Sequence, residues 1–271
     1  MRLLFATVIL TLFSFSSFAE TTSFDHVQKT GEIRCGYGIS DPWVYMDFKT
    51  NKPAGLMVTI AEALGKVLNK ELIWGEETGW ANMPQALYNG RVDVACSTLW
   101  NDPARGNFVA YTDPVFYNPI YAYTRATETR FDTREDINQT TVTIAAQDGG
   151  FSADIAMREF SNAKIKSIPQ FAAWQDLFLN VATGKADILF ADEMSIENFN
   201  KNNEKKLKRV ALDKPVSVYG TSFAVSIKDH AMFQYIQTGV RQLHQSGQID
   251  VLTKEFREKY PDSMLMVKSP Y

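Results

Sequence analysis

Two short stretches carry the side chains best suited to holding a small charged molecule. In "STLWNDPAR" (97–105), Ser97 and Thr98 set hydroxyls at the end of an apolar run, and Arg105 follows. Such a cation beside hydroxyl and backbone donors suits a carboxylate. In "ILFAD" the run ends in Asp192, an anion suited to an ammonium. Each residue also has a plainer use. Asp102-Pro103 reads as a helix cap followed by proline at the first helical position. Arg105 then falls in the first helical turn, where an exposed surface arginine is an ordinary outcome. Asp192 either points into a crevice or caps the next helix, "EMSIENF". Taken together, the cation and the anion describe a grip on the two ends of a zwitterion. Micromolar binding is about −8 kcal/mol. For a ligand of about ten heavy atoms that is ~0.8 kcal/mol per atom, within reach of a few charge-assisted hydrogen bonds.

Catalytic chemistry is less well provided for. Asp102, Asp148 and Asp192 could serve as general acids, but none has a partner identifiable from spacing. His26, His230 and His244 fall outside the loops in question, and no Ser/His/Asp arrangement is evident. The two cysteines, Cys35 and Cys96, have neither the spacing nor the nearby histidines of a metal site. They are either bonded, in an oxidising compartment, or buried and inert. No cofactor is implied.

The elements that position these residues repeat. A tryptophan stands ten residues before a glycine twice, Trp80 to Gly90 and Trp174 to Gly184, the glycines being 94 residues apart (184 − 90). Between them Met83, Ala86 and Leu87, then Leu177, Phe178 and Val181, follow helical spacing. Each glycine reads as a left-handed helix cap. A basic residue, an aspartate and an apolar run follow, the pattern of a strand buried in a parallel sheet.

Around the first copy, "GEIRCGYG" (31–38), a helix through Met57 to Leu68, "ELIWGEE" and a strand over 92–99 complete a β-α-β-α-β unit. Around the second, "TVTIAA" (141–146), an amphipathic helix over 152–160, "KIKSI" and "DILFA" do the same. Right-handed crossovers gather the loops of each unit at the strand C-termini. "IYAYTRA" (120–126) leaves the first unit and "SVYGTSFAVSI" (217–227) returns to it, so the chain crosses twice. Two helices close the chain, and "KNNEKKLKR" (201–209) reads as a solvated helix end or loop. The expected fold is α/β with two lobes, each a mostly parallel sheet flanked by helices, joined by a two-crossing hinge. The expected bounds are 20–123 with 219–271 for one lobe and 124–218 for the other. A cleft between such lobes is where open sheets bind ligands.

Residues 1–19 have Arg2, an apolar stretch from Leu3 to Phe13, and Ser17-Phe18-Ala19 before Glu20. That is the pattern of a cleavable export signal, too short in its apolar part to span a bilayer. Beyond Arg2 there remain 27 basic and 31 acidic residues, a net charge of −4. The charges are interspersed, and nothing suggests nucleic acid.

As an ordered set, the Gly-ending first strand, "PAGLMVTIAEALGKVL", "MPQALYNGRVDVACSTLWNDPAR…VAYTDPVF", "TGKADILFADE" and "SGQIDVLTKEFREKY" resemble a known family. They look like the type II periplasmic solute-binding proteins that feed ABC importers, in the polar-amino-acid group, over about residues 24 to 262. The resemblance implies that Arg105 clamps an α-carboxylate and Asp192 accepts an α-ammonium. It also implies that Ser97 and Thr98 hydrogen-bond the ligand and that Trp43 packs on its side chain. The implied partners are a small zwitterion, an amino acid, and an inner-membrane ABC permease, with the mature protein in the periplasm. A cyclohexadienyl dehydratase on the same scaffold and a periplasmic ligand sensor are the alternatives. The chain departs from the family pattern at "GLMVT", at Trp100 and Asp102, and at Gly149-Gly150-Phe151-Ser152. At the last of these, backbone N–H groups at the helix start can still donate. Trp43, Tyr45, Trp100 and Phe151 fall in cleft-facing loops. Two or more of them in the cavity wall would favour an apolar, aromatic or cationic side chain.

Overall fold

The structure is a computed structural model that describes residues 22–169 and 172–267, so the export signal read at 1–19 lies outside the described residues. The chain opens with α1 (Ser23–Thr30), which is fastened by a reciprocal cap between Thr22 and Asp25. β1 (Glu32–Tyr37), the small hairpin of β2 (Tyr45–Asp47) and β3 (Lys52–Ala54), and α2 (Leu56–Leu68) follow. β4 (Glu71–Glu77), α3 (Gly79–Tyr88) and β5 (Val94–Trp100) complete the first unit. β1 pairs in parallel with both β4 and β5. Helix α2 forms because Met57, Ile60, Ala61 and Leu64 recur on one face, and all four are buried.

After β5 come a single 3-10 turn, Pro103–Arg105, then β6 (Val109–Tyr111) and the long β7 (Phe116–Arg125). The second unit holds α4 (Arg134–Ile137), β8 (Thr143–Gln147), α5 (Phe151–Glu159), β9 (Lys164–Ile168), α6 (Gln175–Ala182) and β10 (Leu189–Ala191). β8 and β9 are parallel, and Ile144 bridges in parallel to Ile188 just before β10. α7 (Glu193–Asn202) and β11 (Leu207–Arg209) precede β12 (Ser217–Ser226), and α8 (His230–Gln245), α9 (Gln248–Lys259) and β13 (Leu265–Met266) end the described chain.

Strands of both units meet in one mixed sheet, ordered β10-β7-β12-β5-β1-β4, while β8 and β9 form a two-stranded sheet of their own. Strands β7 and β12 are antiparallel to each other and to their neighbours, and they carry the chain between two groups of cores. One group draws on residues 27–116 and 223–264 together with Met194, the other on the remaining buried residues between 120 and 216. Parallel pairing is thus kept for strands linked by crossover helices, and the crossings themselves are antiparallel. Where β7 and β12 meet, buried Asn118 accepts from the Thr221 hydroxyl and donates to the Ser263 carbonyl at 3.2 Å.

Both glycines of the repeat adopt the left-handed conformation, with φ of 66° at Gly90 and 76° at Gly184. Cys35 and Cys96, on adjacent parallel strands, form a disulfide with a Cα–Cα distance of 5.4 Å. The basic run at 201–209 differs from expectation. Its last three residues form β11 on the edge of β7, because Leu207 is buried there while Arg209 lies over the Tyr121 ring. The segment after α9 also ties the two core groups together. Asp262 receives Arg209 at 2.6 Å and donates its N–H to Glu193 at 3.1 Å. Among the described residues no helix is long and apolar enough to cross a membrane, and no group of His, Cys, Asp or Glu is placed to hold a metal ion.

Candidate ligand-binding cleft

Loops at the C-terminal ends of the parallel strands from both units meet around one cavity of about 400 Å³, within the usual range for a small-molecule site. Ser40 and Trp43 follow β1, Trp80 follows β4, and Trp100, Asp102 and Arg105 end or follow β5. From the other unit come Gln147 at the end of β8, Gly149, Gly150 and Phe151 after it, Trp174 after β9, and Asp192 and Ser195 after β10. Tyr219 enters from β12. The crossovers place these loops at the same edge of the fold, which is why residues more than a hundred positions apart share a wall.

Arg105 and Asp192 both line this cavity. Arg105 rides the 3-10 turn with its Nε 3.4 Å from Asp102, so its guanidinium already shares charge with a neighbouring carboxylate. The expected helical turn is a single one, and its proline begins it.

Asp192 fulfils both of its readings at once. It caps α7, accepting the Ser195 N–H at 3.0 Å and the Ser195 hydroxyl at 2.7 Å, and it also faces the cavity. It is only 3% exposed, and burial pushes its carboxyl upward against the hydrogen bonds from Ser195 and from the Trp43 indole. Trp43 is itself buried, stacked on Phe116 at 5.5 Å. Its N–H thus reaches from one core group to the carboxylate of the other.

The remaining expected contacts are placed as follows. Trp100 and Phe151 line the cavity, edge to face at 4.4 Å. Gly150 lines it too, but its own N–H donates to the Gln147 carbonyl at 2.9 Å, and the Ser152 hydroxyl turns inward to accept the Gln147 N–H at 3.3 Å. Ser97 lies behind the cavity wall: it is fully buried and accepts the Gly38 N–H at 3.3 Å. Thr98 stands in β5, and its side chain lies outside the described residues. Tyr45 sits on the β2–β3 hairpin, 38% exposed and apart from the cavity.

Other lining residues were marked in the sequence only as elements of the repeat. Trp80 and Trp174 stand at the starts of α3 and α6, the helices that follow the parallel strands β4 and β9, and both line the cleft. The Trp80 ring lies so close to Gly38 that an added Cβ there would come within 2.9 Å of it, so glycine is required for the ring to sit there. Four of the five tryptophans thus line the cavity. Trp100 stacks on Tyr219 at 5.2 Å, and Phe151 leans on Trp174 at 5.3 Å. Asp154 and Arg158, four residues apart on α5 and paired at 2.7 Å, add a second neutralised couple to the wall. Among the described residues, Asp192 is then the carboxylate of this wall that no cation pairs with.

The model of the bacterial extracellular solute-binding proteins, family 3, matches residues 33–259. The chain belongs to that family. This solute-binding protein is 26% identical to the amino-acid-binding protein AabA of Dichelobacter nodosus over 229 residues, 82% of this chain and 84% of that one. It is 24% identical to a cyclohexadienyl dehydratase of Pseudomonas aeruginosa over 231 residues, 84% of each. Its fold superposes on the substrate-binding protein AbpA of an amino acid ABC transporter from Streptococcus pneumoniae, solved with L-arginine. The TM-score is 0.71 at 17% identity, covering 85% of this chain and 96% of that one.

Proposed function

We propose that this solute-binding protein is exported to the periplasm, captures a small zwitterionic amino acid between its lobes and delivers it to an inner-membrane ABC permease. The observation that supports this most directly is that Arg105, from one core group, and Asp192, from the other, line the same cavity. The lobes are taken as residues 20–123 with 219–271, and 124–218. Arg105 receives the α-carboxylate and Asp192 the α-ammonium. The aromatic wall of Trp43, Trp100 and Phe151 favours an aromatic or cationic side chain, which rings stabilise by stacking or by cation–π attraction.

Titration calorimetry against the amino acids tests this. Arg105→Ala is expected to lower affinity at least a hundredfold, since a carboxylate clamp comprises two charge-assisted hydrogen bonds at about 1.5 kcal/mol or more each. Asp192→Asn still caps α7, so the fold stays while the counter-charge is lost; about tenfold weaker binding is expected. Unchanged affinity in both variants would reject the zwitterion grip.

A dehydratase is the second reading, favoured by the Pseudomonas relative and by the cleft carboxylates of Asp102, Asp154 and Asp192. Incubation with prephenate or arogenate decides it: turnover would displace the binding-only function.

A further inference from the structure

A second cavity, of about 520 Å³, lies between the β2–β3 hairpin, α2 and the edge strand β4, and it shares no lining residue with the cleft. Three lysines line it. Lys52 belongs to β3, Lys66 to the last turn of α2, and Lys70 follows the Asn69 cap of that helix. Among the described residues, the ammonium groups of Lys52 and Lys66 enter no ion pair or hydrogen bond. Lys70 donates to the Val27 carbonyl at 3.2 Å and to the Gln28 side chain at 3.5 Å, which fixes its ammonium and leaves one N–H to spare. One acid, Glu62, lines the cavity against these cations. Other acids nearby are engaged elsewhere: Glu76 of β4 is drawn to Arg91 at 3.2 Å, and Asp47 of the hairpin accepts the Lys49 and Thr50 N–H groups at 2.7 and 3.0 Å.

The wall between the lysines is aromatic. Trp74 of β4 is half-buried there, and Tyr37 of β1, almost wholly buried, backs it edge to face at 5.8 Å. The chain as a whole carries more acids than bases, so an excess of two positive charges (3 − 1) around one aromatic concavity is a local reversal. Such a surface matches a planar ring that bears two or more acid groups, with the ring on Trp74 and the acids towards the lysines. A monoanion would leave two ammonium groups unmatched. We infer that this cavity is a second ligand site, for a small aromatic polyacid, separate from the cleft and independent of what the cleft binds. Lys52 and Lys66 are exposed to water, so each pair contributes little alone. Binding therefore depends on several acids acting together, and it weakens as ionic strength rises.

The probe is benzene-1,3,5-tricarboxylate, titrated by calorimetry into the full protein at low ionic strength. Cyclohexane-1,3,5-tricarboxylate supplies the same charge without an aromatic ring. The benzene compound is expected to bind wild type, and Lys52→Gln and Lys66→Gln are each expected to weaken it about fivefold, the loss of one exposed pair. Glu62→Gln, which removes the competing acid, is expected to tighten it by about the same factor. The cyclohexane compound is expected to bind more weakly than the benzene compound, and Trp74→Leu to erase that difference. Lys52, Lys66 and Glu62 are exposed, so their variants keep the fold, and amino-acid affinity at the cleft is expected to be unchanged in each. Failure of the benzene compound to bind, or equal affinity in wild type and both lysine variants, overturns the inference. Equal binding of the two compounds overturns the assignment to aromatic ligands. Binding that Arg105→Ala abolishes and the lysine variants leave intact places the probe in the cleft and overturns the second site. The amino-acid reading is decided by its own titration in every case.

Discussion

Asp93 and Asp187 occupy the same place in the two copies of the repeat, and both do the same backbone work. Asp93 accepts the Arg34 N–H of β1 at 2.8 Å and returns its own N–H to the Arg34 carbonyl at 2.8 Å. Asp187 accepts the Thr143 N–H of β8 at 2.9 Å and returns its N–H to the Thr143 carbonyl at 2.8 Å. The aspartate in "GRVDV" and "GKADI" thus locks the strand after each helix onto the first strand of its unit. The surroundings then diverge. The Asp93 side chain is fully buried and holds Arg34 at 2.6 Å. Asp187 is 17% exposed and shares Arg125 and Arg130 with Glu128. At the cleft the divergence is complete: one copy runs on through Trp100 to a cation, the other stops at once in the carboxylate that caps α7. The duplicated part is the frame, and the charged pair that lines the cavity, Arg105 and Asp192, lies in the loops that are not duplicated.

The most severe break of this symmetry is covalent. Only the first copy carries a disulfide, Cys35–Cys96, enclosing a separation of 61 residues. Loop-closure entropy for that length is about 4 kcal/mol. The double variant Cys35→Ala/Cys96→Ala is therefore expected to lose about 3–4 kcal/mol in denaturant unfolding. A loss below about 1 kcal/mol would show that the burial of these strands, and not their bond, holds the unit together.

Next come the paired aspartates. Asp93→Ala leaves the Arg34 guanidinium beside a buried void, and about 3 kcal/mol of destabilisation is expected. Asp187→Ala is expected to cost about 1–2 kcal/mol, because its arginines are more exposed to solvent and keep Glu128 as a partner. The same unfolding measurement reads both, and a larger loss at Asp187 would reverse the ranking.

The frame was legible in the sequence and most of the cavity wall was not, for a physical reason. Helical spacing in Met83, Ala86 and Leu87, the glycine caps and the apolar strands are local features, and each recurs in the structure as read. The wall depends on contacts between distant segments. Trp43 reads as a cleft-loop aromatic, yet it is buried because Phe116 of β7 stacks on it from 73 residues away (116 − 43). Asp192 carries two readings, cap and crevice, and both hold because the strand end and helix start coincide at the cleft. Ser97 has the side chain of a ligand donor, and the parallel pairing of β1 with β5 brings the Gly38 N–H to its oxygen. Trp80 and Trp174 were visible as markers of the repeat, while their place in the cavity follows from the crossovers.

The smallest contrast between the copies is one of pH. Glu128, 6% exposed, accepts hydrogen bonds from the Arg130 side chain and from the N–H groups of Thr129 and Arg130, and these hold its carboxyl at about 2. In the unfolded chain it titrates near the ordinary glutamate value of 4.5. Its folded value is the lower one, so its contribution to stability is complete above about 4.5 and fades as the pH falls from there towards 2. A carboxyl held that low implies up to ~3 kcal/mol. The half-exposed Arg130 is screened by water, so about 1–2 kcal/mol is expected at neutral pH. Glu128→Gln should show that loss at pH 7 and a smaller further decline on acidification than the wild type, the two stability curves converging between pH 4.5 and pH 2. Parallel curves over that window would mean that the arginines are held by Asp187 alone, and that the second copy needs no more charge behind its cleft than the first.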